Sequence, residues 1–208
     1  LVSPLTIEMI SKNNGGGGNY GGTIAIVDNE GTIIETISLE EQIANCVDDQ
    51  GRLHVTPGLY SLSHAVHAIL WYRIELGITS LFLLNGTHDE KGERVSINGN
   101  NISMSIVGES REHCVVIGSM WMGGTEEVDV NVSNLTLRKS KSYGLHGFNG
   151  ASMHLDNVSV ENSGSSGVVV YGSKRNTMKN CNVSHSKYSG LIVGDGGLMT
   201  IDGNATTI

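Results

Sequence analysis

Three segments of 23 residues, running from Asp129 to Gly197, align beneath one another without a gap. They read DVNVSNLTLRKSKSYGLHGFNGA, SMHLDNVSVENSGSSGVVVYGSK and RNTMKNCNVSHSKYSGLIVGDGG, and a fourth copy opens at Leu198 (LMTIDGNATTI). The columns agree in chemistry. Val132, Leu155, Met178 and Ile201 share one; Asn134, Asn157 and Asn180 the next, with Gly203 breaking the run. Leu135, Val158 and Cys181 follow, then Leu137, Val160 and Val183, then Ser140, Ser163 and Ser186. Gly144, Gly167 and Gly190 precede Leu145, Val168 and Leu191. A short fixed period marks a solenoid, in which each unit buries its apolar face only against its neighbours.

Within each unit the apolar residues alternate, as in Leu135/Leu137 and Val158/Val160, which is the period of strands. Stacked one repeat per coil, such strands lie parallel and about 4.8 Å apart, so residues 23 apart become neighbours. The Asn column falls at the bend between two strands, where Asn tolerates turn conformations and its amide can bond the next Asn. The glycine column is expected to supply a backbone angle that a side chain resists. A leucine-rich repeat shares the period, but its convex half needs a second set of leucines, and here that half is Gly, Ser and Lys. The glycines exclude a helical repeat.

The pattern [VLM]-x-N-[LVC]-x-[LV]-x-x-S-x-x-x-G-[LV] resembles the repeats of the pectin-lyase-like right-handed parallel β-helix superfamily, nearest the carbohydrate-binding and sugar-hydrolysis type. LFLLNGTH at Leu81 to His88 and SINGNNISMSIVGESREHCVVIG from Ser96 resemble that superfamily's opening coils. The resemblance runs from Thr79 to Ile208. It implies an all-β solenoid, a right-handed parallel β-helix with an N-terminal capping α-helix and a small N-terminal α+β extension. It also implies that any polysaccharide chemistry lies on the outside of the coils.

A chain of 208 residues suffices for one domain with a substantial core. The 28 glycines beside only 2 prolines suit many tight turns, and the net charge of −8 argues against nucleic acid as a partner. No apolar run is long enough to span a membrane, and no signal peptide is visible at the start. The protein is therefore expected to be soluble. Cys46, Cys114 and Cys181 are too scattered for a disulfide framework, and Cys181 reads as a small core residue. Sequons at Asn85, Asn101, Asn131, Asn134, Asn157, Asn182 and Asn204 taken alone suggest secretion and glycosylation, but an Asn/Ser/Thr-rich repeat also generates them by chance, and a glycan would not fit on Asn134 or Asn157 in the ladder; both readings stay open.

Along the chain, residues 1–22 read as a Gly-rich flexible leader and residues 23–60 as an extension. The extension holds a hairpin (Thr23 to Val27, Thr32 to Ile37) and a short helix capped by Ser38 and Glu41, running through Val47. Residues 61–78 carry an amphipathic helix, Leu62 to Leu76, closed by Gly77. It is expected to cap the open edge of the first coil, with Trp71 or Ile74 touching that coil. Residues 79–208 form the β-helix. Leu83 and Ile106 are expected to pair, and Met120 to Glu127 to protrude as a turn.

For chemistry, the superfamily's lyases bind calcium through clustered carboxylates with an Arg base, and its hydrolases need grouped Asp residues. From Asp129 onward the acids are Asp129, Asp156, Glu161, Asp195 and Asp202. Lys179 separates Asp156 from Asp202 and Arg138 stacks on Glu161, as in stabilising charge ladders. The Asp-Pro-His of alginate epimerases is absent, and Gly144 to Gly147 only faintly resembles the hydrolase motif. The best candidate ligand patch joins Lys139, Lys141 and Tyr143 to His185, Lys187 and Tyr188 two coils on, across a shallow Asn162/Gly164/Ser166 groove, suited to an acidic sugar or a partner's carboxylate. His146, beside Val169 and Ile192, is counted with this patch; as a general base it lacks an acid partner, which leaves a structural role as the expectation. His64 and His67 lack a third metal ligand, His88 to Glu90 read as a plain surface loop, and Phe148 and Tyr171 are expected to stack. No catalytic residue, metal or cofactor is assigned. The leading expectation is a non-catalytic structural or recognition module for a polysaccharide or protein, within a larger assembly; the rival is a polysaccharide-active lyase, hydrolase or epimerase.

Overall fold

The repeat columns become ladders of stacked strands. A computed structural model describes residues 6–10, 23–27, 33–38, 43–58, 61–72, 77–99, 102–125, 128–173 and 175–208. At the N-terminus, β1 (Thr6–Ile10), β2 (Thr23–Val27) and β3 (Ile33–Ser38) form an antiparallel three-stranded sheet, so the expected hairpin is present and residues read as leader supply a strand. Residues 43–45 are helical, and Val47 bridges back to Leu53.

The remaining strands are parallel and wind over three faces in about five turns. The first face stacks β4 (Arg52–Val55), β5 (Ser80–Leu83), β7 (Ser103–Gly108), the starts of β9 (Asp129–Arg138) and β11 (Ser152–Glu161), then β13 (Asn176–Lys179) and β16 (Met199–Asp202). The second stacks the starts of β6 (Gly86–Gly99) and β8 (Cys114–Gly124), the ends of β9 and β11, and β14 (Asn182–Ser184). The third stacks the ends of β6 and β8, then β10 (Leu145–Phe148), β12 (Val168–Tyr171) and β15 (Leu191–Gly194). In the repeat region the register is the 23-residue one: Val132 pairs with Leu155, Leu155 with Met178, and Met178 with Ile201. Val132, Leu135, Val158 and Met178 are fully buried, and Cys181 lies among them.

Between the first and second faces, Asn134, Asn157 and Asn180 turn the chain with φ of 55°, 55° and 52°. This left-handed conformation is one that Asn accepts more readily than most residues with a Cβ. Asn157 Nδ2 donates to Asn134 Oδ1 at 3.0 Å, whereas Asn180 Nδ2 turns to Asp156 Oδ1 at 3.4 Å. Arg111 lies across this corner and donates from Nη1 to the Asn180 carbonyl at 3.3 Å, although the two are 69 residues apart.

Several expectations need correction. The Gly144/Gly167/Gly190 column does not take positive φ; it is glycine for lack of space. A Cβ on Gly167 would meet Val183 Cγ1 and come within 2.7 Å of the Gly190 carbonyl, and Gly144 is blocked likewise by Val160 and the Gly167 carbonyl. Leu83 does not pair with Ile106, because Leu81 does and the opening coils are longer than 23 residues. Residues 120–124 do not protrude: they complete β8, with Met120 and Met122 fully buried and paired into β10. His88 to Glu90 lie within β6 and His88 is buried, so they are not a surface loop.

The amphipathic stretch forms helix α1 (Leu62–Tyr72). It buries Leu62, Ala65, Val66 and Ile69, and Gly77 follows in the left-handed conformation with φ 61°. The side chains of Trp71 and Ile74 lie outside the described residues. The helix packs chiefly against β6, whose only strand partner among the described residues is β8, so it covers the edge that β6 leaves open. Glu90 of β6 clamps it, accepting from the Leu62 N–H at 2.5 Å and from Ser63 Oγ at 3.0 Å, where a carboxylate meets the unsatisfied donors of a helix start.

Candidate ligand-binding face

The strands of the third face place one outward column in register, Ser96, Trp121, His146, Val169 and Ile192. Around His146 the rings converge. Trp121 approaches it edge-on at 4.9 Å between centroids, Tyr143 at 5.2 Å, Phe148 tilted at 4.9 Å and Tyr171 edge-on at 5.9 Å. Phe148 and Tyr171 thus both close on His146; Phe148 lies on Gly123 and Tyr171 on Gly194. The Arg94 guanidinium sits 4.8 Å over the Trp121 ring, a cation–π contact. Beside Phe148 a shallow open cleft of about 290 Å³ is lined by Asn98, Gly99, Gly123, Gly124, Phe148 and Asn149.

Both ring nitrogens of His146 and the indole nitrogen of Trp121 are buried without a hydrogen-bond partner. Burial lowers the His146 pKa, which keeps the imidazole neutral at neutral pH. Its edge-on neighbours offer π faces to an N–H, a weak substitute for a full hydrogen bond.

Flanking this platform, the loops between the second and third faces stack as well. Gly164 N–H donates to the Ser140 carbonyl at 2.8 Å, and Lys187 N–H to the Ser163 carbonyl at 3.0 Å. Lys139, Asn162 and His185 take matching left-handed φ of 56°, 54° and 54°. The anticipated patch therefore has its backbone alignment. Its side chains divide: Tyr143 and His146 join the aromatic cluster, Lys141 Nζ pairs with Glu93 at 2.5 Å, and Lys187 lies 5.3 Å from the ring of Tyr188, which is 70% exposed. Lys139 and His185 are exposed. The sequence reading missed Trp121 and Arg94. The Met-Trp-Met alternation in β8 was the available signal, hidden because coil length changes there.

Several of the acids are held by structural partners. Glu161 takes Arg138 Nη2 at 2.8 Å and Ser159 Oγ at 2.9 Å. Although burial works against it, hydrogen bonds from Arg52 and His54 hold the Asp48 carboxyl well below the usual carboxylate range. On the first face Asp129 Oδ1 lies 3.3 Å from His154 Nε2, and His154 Nδ1 lies 2.9 Å from Thr177 Oγ1, a polar chain over three coils. Among the described residues no group of three His, Cys, Asp or Glu is placed to hold a metal ion, and no helix is long and apolar enough to cross a membrane.

Residues 117–207 match a family model described as a right handed beta helix region. No curated protein and no solved structure matches the chain. The match and the parallel coils together make this a right-handed β-helix protein, consistent with the pectin-lyase-like superfamily that its repeats resemble.

Proposed function

We propose that the protein is a non-catalytic recognition module that holds a glycan against the third face. The observation that carries this reading is the gathering of Trp121, Tyr143, Phe148 and Tyr171 around a neutral His146 on the outside of the solenoid. All five side chains are half-buried, so their edges and faces remain partly open to solvent. Aromatic rings offer an apolar body with a polar tip, which suits a ligand with both C–H and hydroxyl faces. A rigid β platform presents them with little ordering cost. The pairing of Glu161, Asp129, Glu90 and Asp48 with structural partners favours binding over hydrolysis or elimination, which need free carboxylates or a free base.

A glycan array with wild type and Trp121→Ala tests this. Binding of a defined set of linear glycans by wild type, lost in Trp121→Ala at unchanged melting temperature, supports the module. Absence of glycan binding, or cleavage of any bound polysaccharide on prolonged incubation, overturns it.

A further inference from the structure

From the loop stack flanking the aromatic platform, we infer that the preferred ligand is a linear glycan bearing an anionic group on every second sugar. The inference rests on the reading of the third face as a glycan site and names the ligand class within it.

Cations and small residues alternate along the stack. Lys141 stands in one coil, Gly164 in the next and Lys187 in the one after, joined by the backbone bonds that fix their register. Gly92, from the bulge within β6, accepts from the Lys141 N–H at 2.9 Å on the other side. The alternation is enforced by packing. A Cβ on Gly164 would come within 2.6 Å of the Lys141 carbonyl oxygen and 2.9 Å of the Ser140 carbonyl, so that coil has no room for a side chain in the lysine column. In the adjacent column the uncharged Asn162 stands between Lys139 and His185, all three in the left-handed conformation.

Each of the two lysines shares its loop with a tyrosine. Lys141 shares its loop with Tyr143, which packs on Trp121 at 5.9 Å and on His146, and Lys187 lies against Tyr188. The stack thus presents two stations of one lysine and one tyrosine, separated by two coil rises, or about 10 Å. A pyranose in an extended 1,4-linked chain advances by close to one coil rise. The two stations therefore match a disaccharide period, a ring to stack and a carboxylate or sulfate to pair at each station, with an uncharged sugar over Asn162 and Gly164. Lys141 is available despite Glu93, because both side chains of that pair are mostly exposed (63% and 66%) and such pairs exchange readily.

Binding is measured by calorimetry at two salt concentrations with three linear glycans of equal length: neutral, uronate on alternate sugars, and uronate on every sugar. The alternating polymer should bind tightest. Lys141→Ala and Lys187→Ala should each weaken it by about two- to fivefold, the range of exposed ion pairs, and flatten its salt dependence. Glu93→Gln, which frees Lys141, should tighten it. Asn162→Lys places a cation in the intervening coil, at a left-handed position that Lys139 shows lysine can hold, and should move preference toward the fully acidic polymer. If the neutral glycan binds as tightly as the alternating one, or wild type prefers the fully acidic one, the charge period is wrong while the glycan face stands. If none of the three binds, both readings fall.

Discussion

Asn157 donates from Nδ2 to Oδ1 of Asn134 at 3.0 Å, and the two residues share a left-handed φ of 55° one coil apart. One residue type thus meets two demands at the corner, a conformation costly for most side chains and a bond along the stack.

Asn157→Ala removes both contributions. The left-handed penalty for a residue with a Cβ and the lost side-chain bond together give an expected destabilisation of about 1–3 kcal/mol. Asn157→Gly keeps the conformational freedom and should lose less. Urea unfolding of the two variants beside wild type measures the difference; equal losses would mean that the backbone angle is immaterial there.

At Gly167 the demand is for room. Gly167→Ala and Gly167→Asn should both destabilise by about 1–3 kcal/mol or more through overpacking against Val183 and the Gly190 carbonyl. Asn at a position that merely needed a left-handed angle would be tolerated, so thermal melts of the two variants separate the explanations.

Met122 is fully buried in β8, a segment that the sequence suggested would protrude. Met122→Ala should cost about 2–5 kcal/mol and Met122→Leu less than about 1.5 kcal/mol. A protruding turn would show neither loss in denaturant titration.

His88 and His146 both have pKa values lowered chiefly by burial; for His88 the Leu84 carbonyl and Glu90 partly oppose the shift. The unfolded chain, with imidazoles near about 6.5, then binds protons that the folded chain refuses. Stability should therefore be at its plateau above that value and fall as pH drops below it, before carboxylates titrate. Melting temperatures from pH 7.5 down to 5 should show this slope, and His146→Phe, whose ring suits the aromatic box, should flatten it. A slope unchanged in His146→Phe and in His88→Leu would refute the assignment.

The C-terminal coils were legible because identical coil lengths let chemistry recur at a fixed period, so Val132, Leu155 and Met178 could be stacked on paper. That regularity fails in the opening coils: the bulge within β6 between Asp89 and Arg94, opposite the tight passage at Gly118, changes the count, and Leu83 was assigned the wrong partner. The same change hid Trp121, whose flanking methionines face inward. Loop alignment was correct for Lys141 and Lys187, since backbone register follows from period. Where Lys141 points was not legible, because Glu93 reaches it from a coil outside the repeat. The glycine column shows a further limit: a column of one residue type says that a Cβ is unwelcome, without saying whether angle or room is the cause.

Arg111 changes how such a stack comes apart. Stability in a solenoid is ordinarily a sum of terms between adjacent units, so loss can begin at an end and proceed one unit at a time. A guanidinium from an early coil bound to the Asn180 carbonyl adds a link that skips the intervening coils. Peeling back the later coils must break that distant tie together with the local ones, which makes fraying from that side more concerted than nearest-neighbour addition allows.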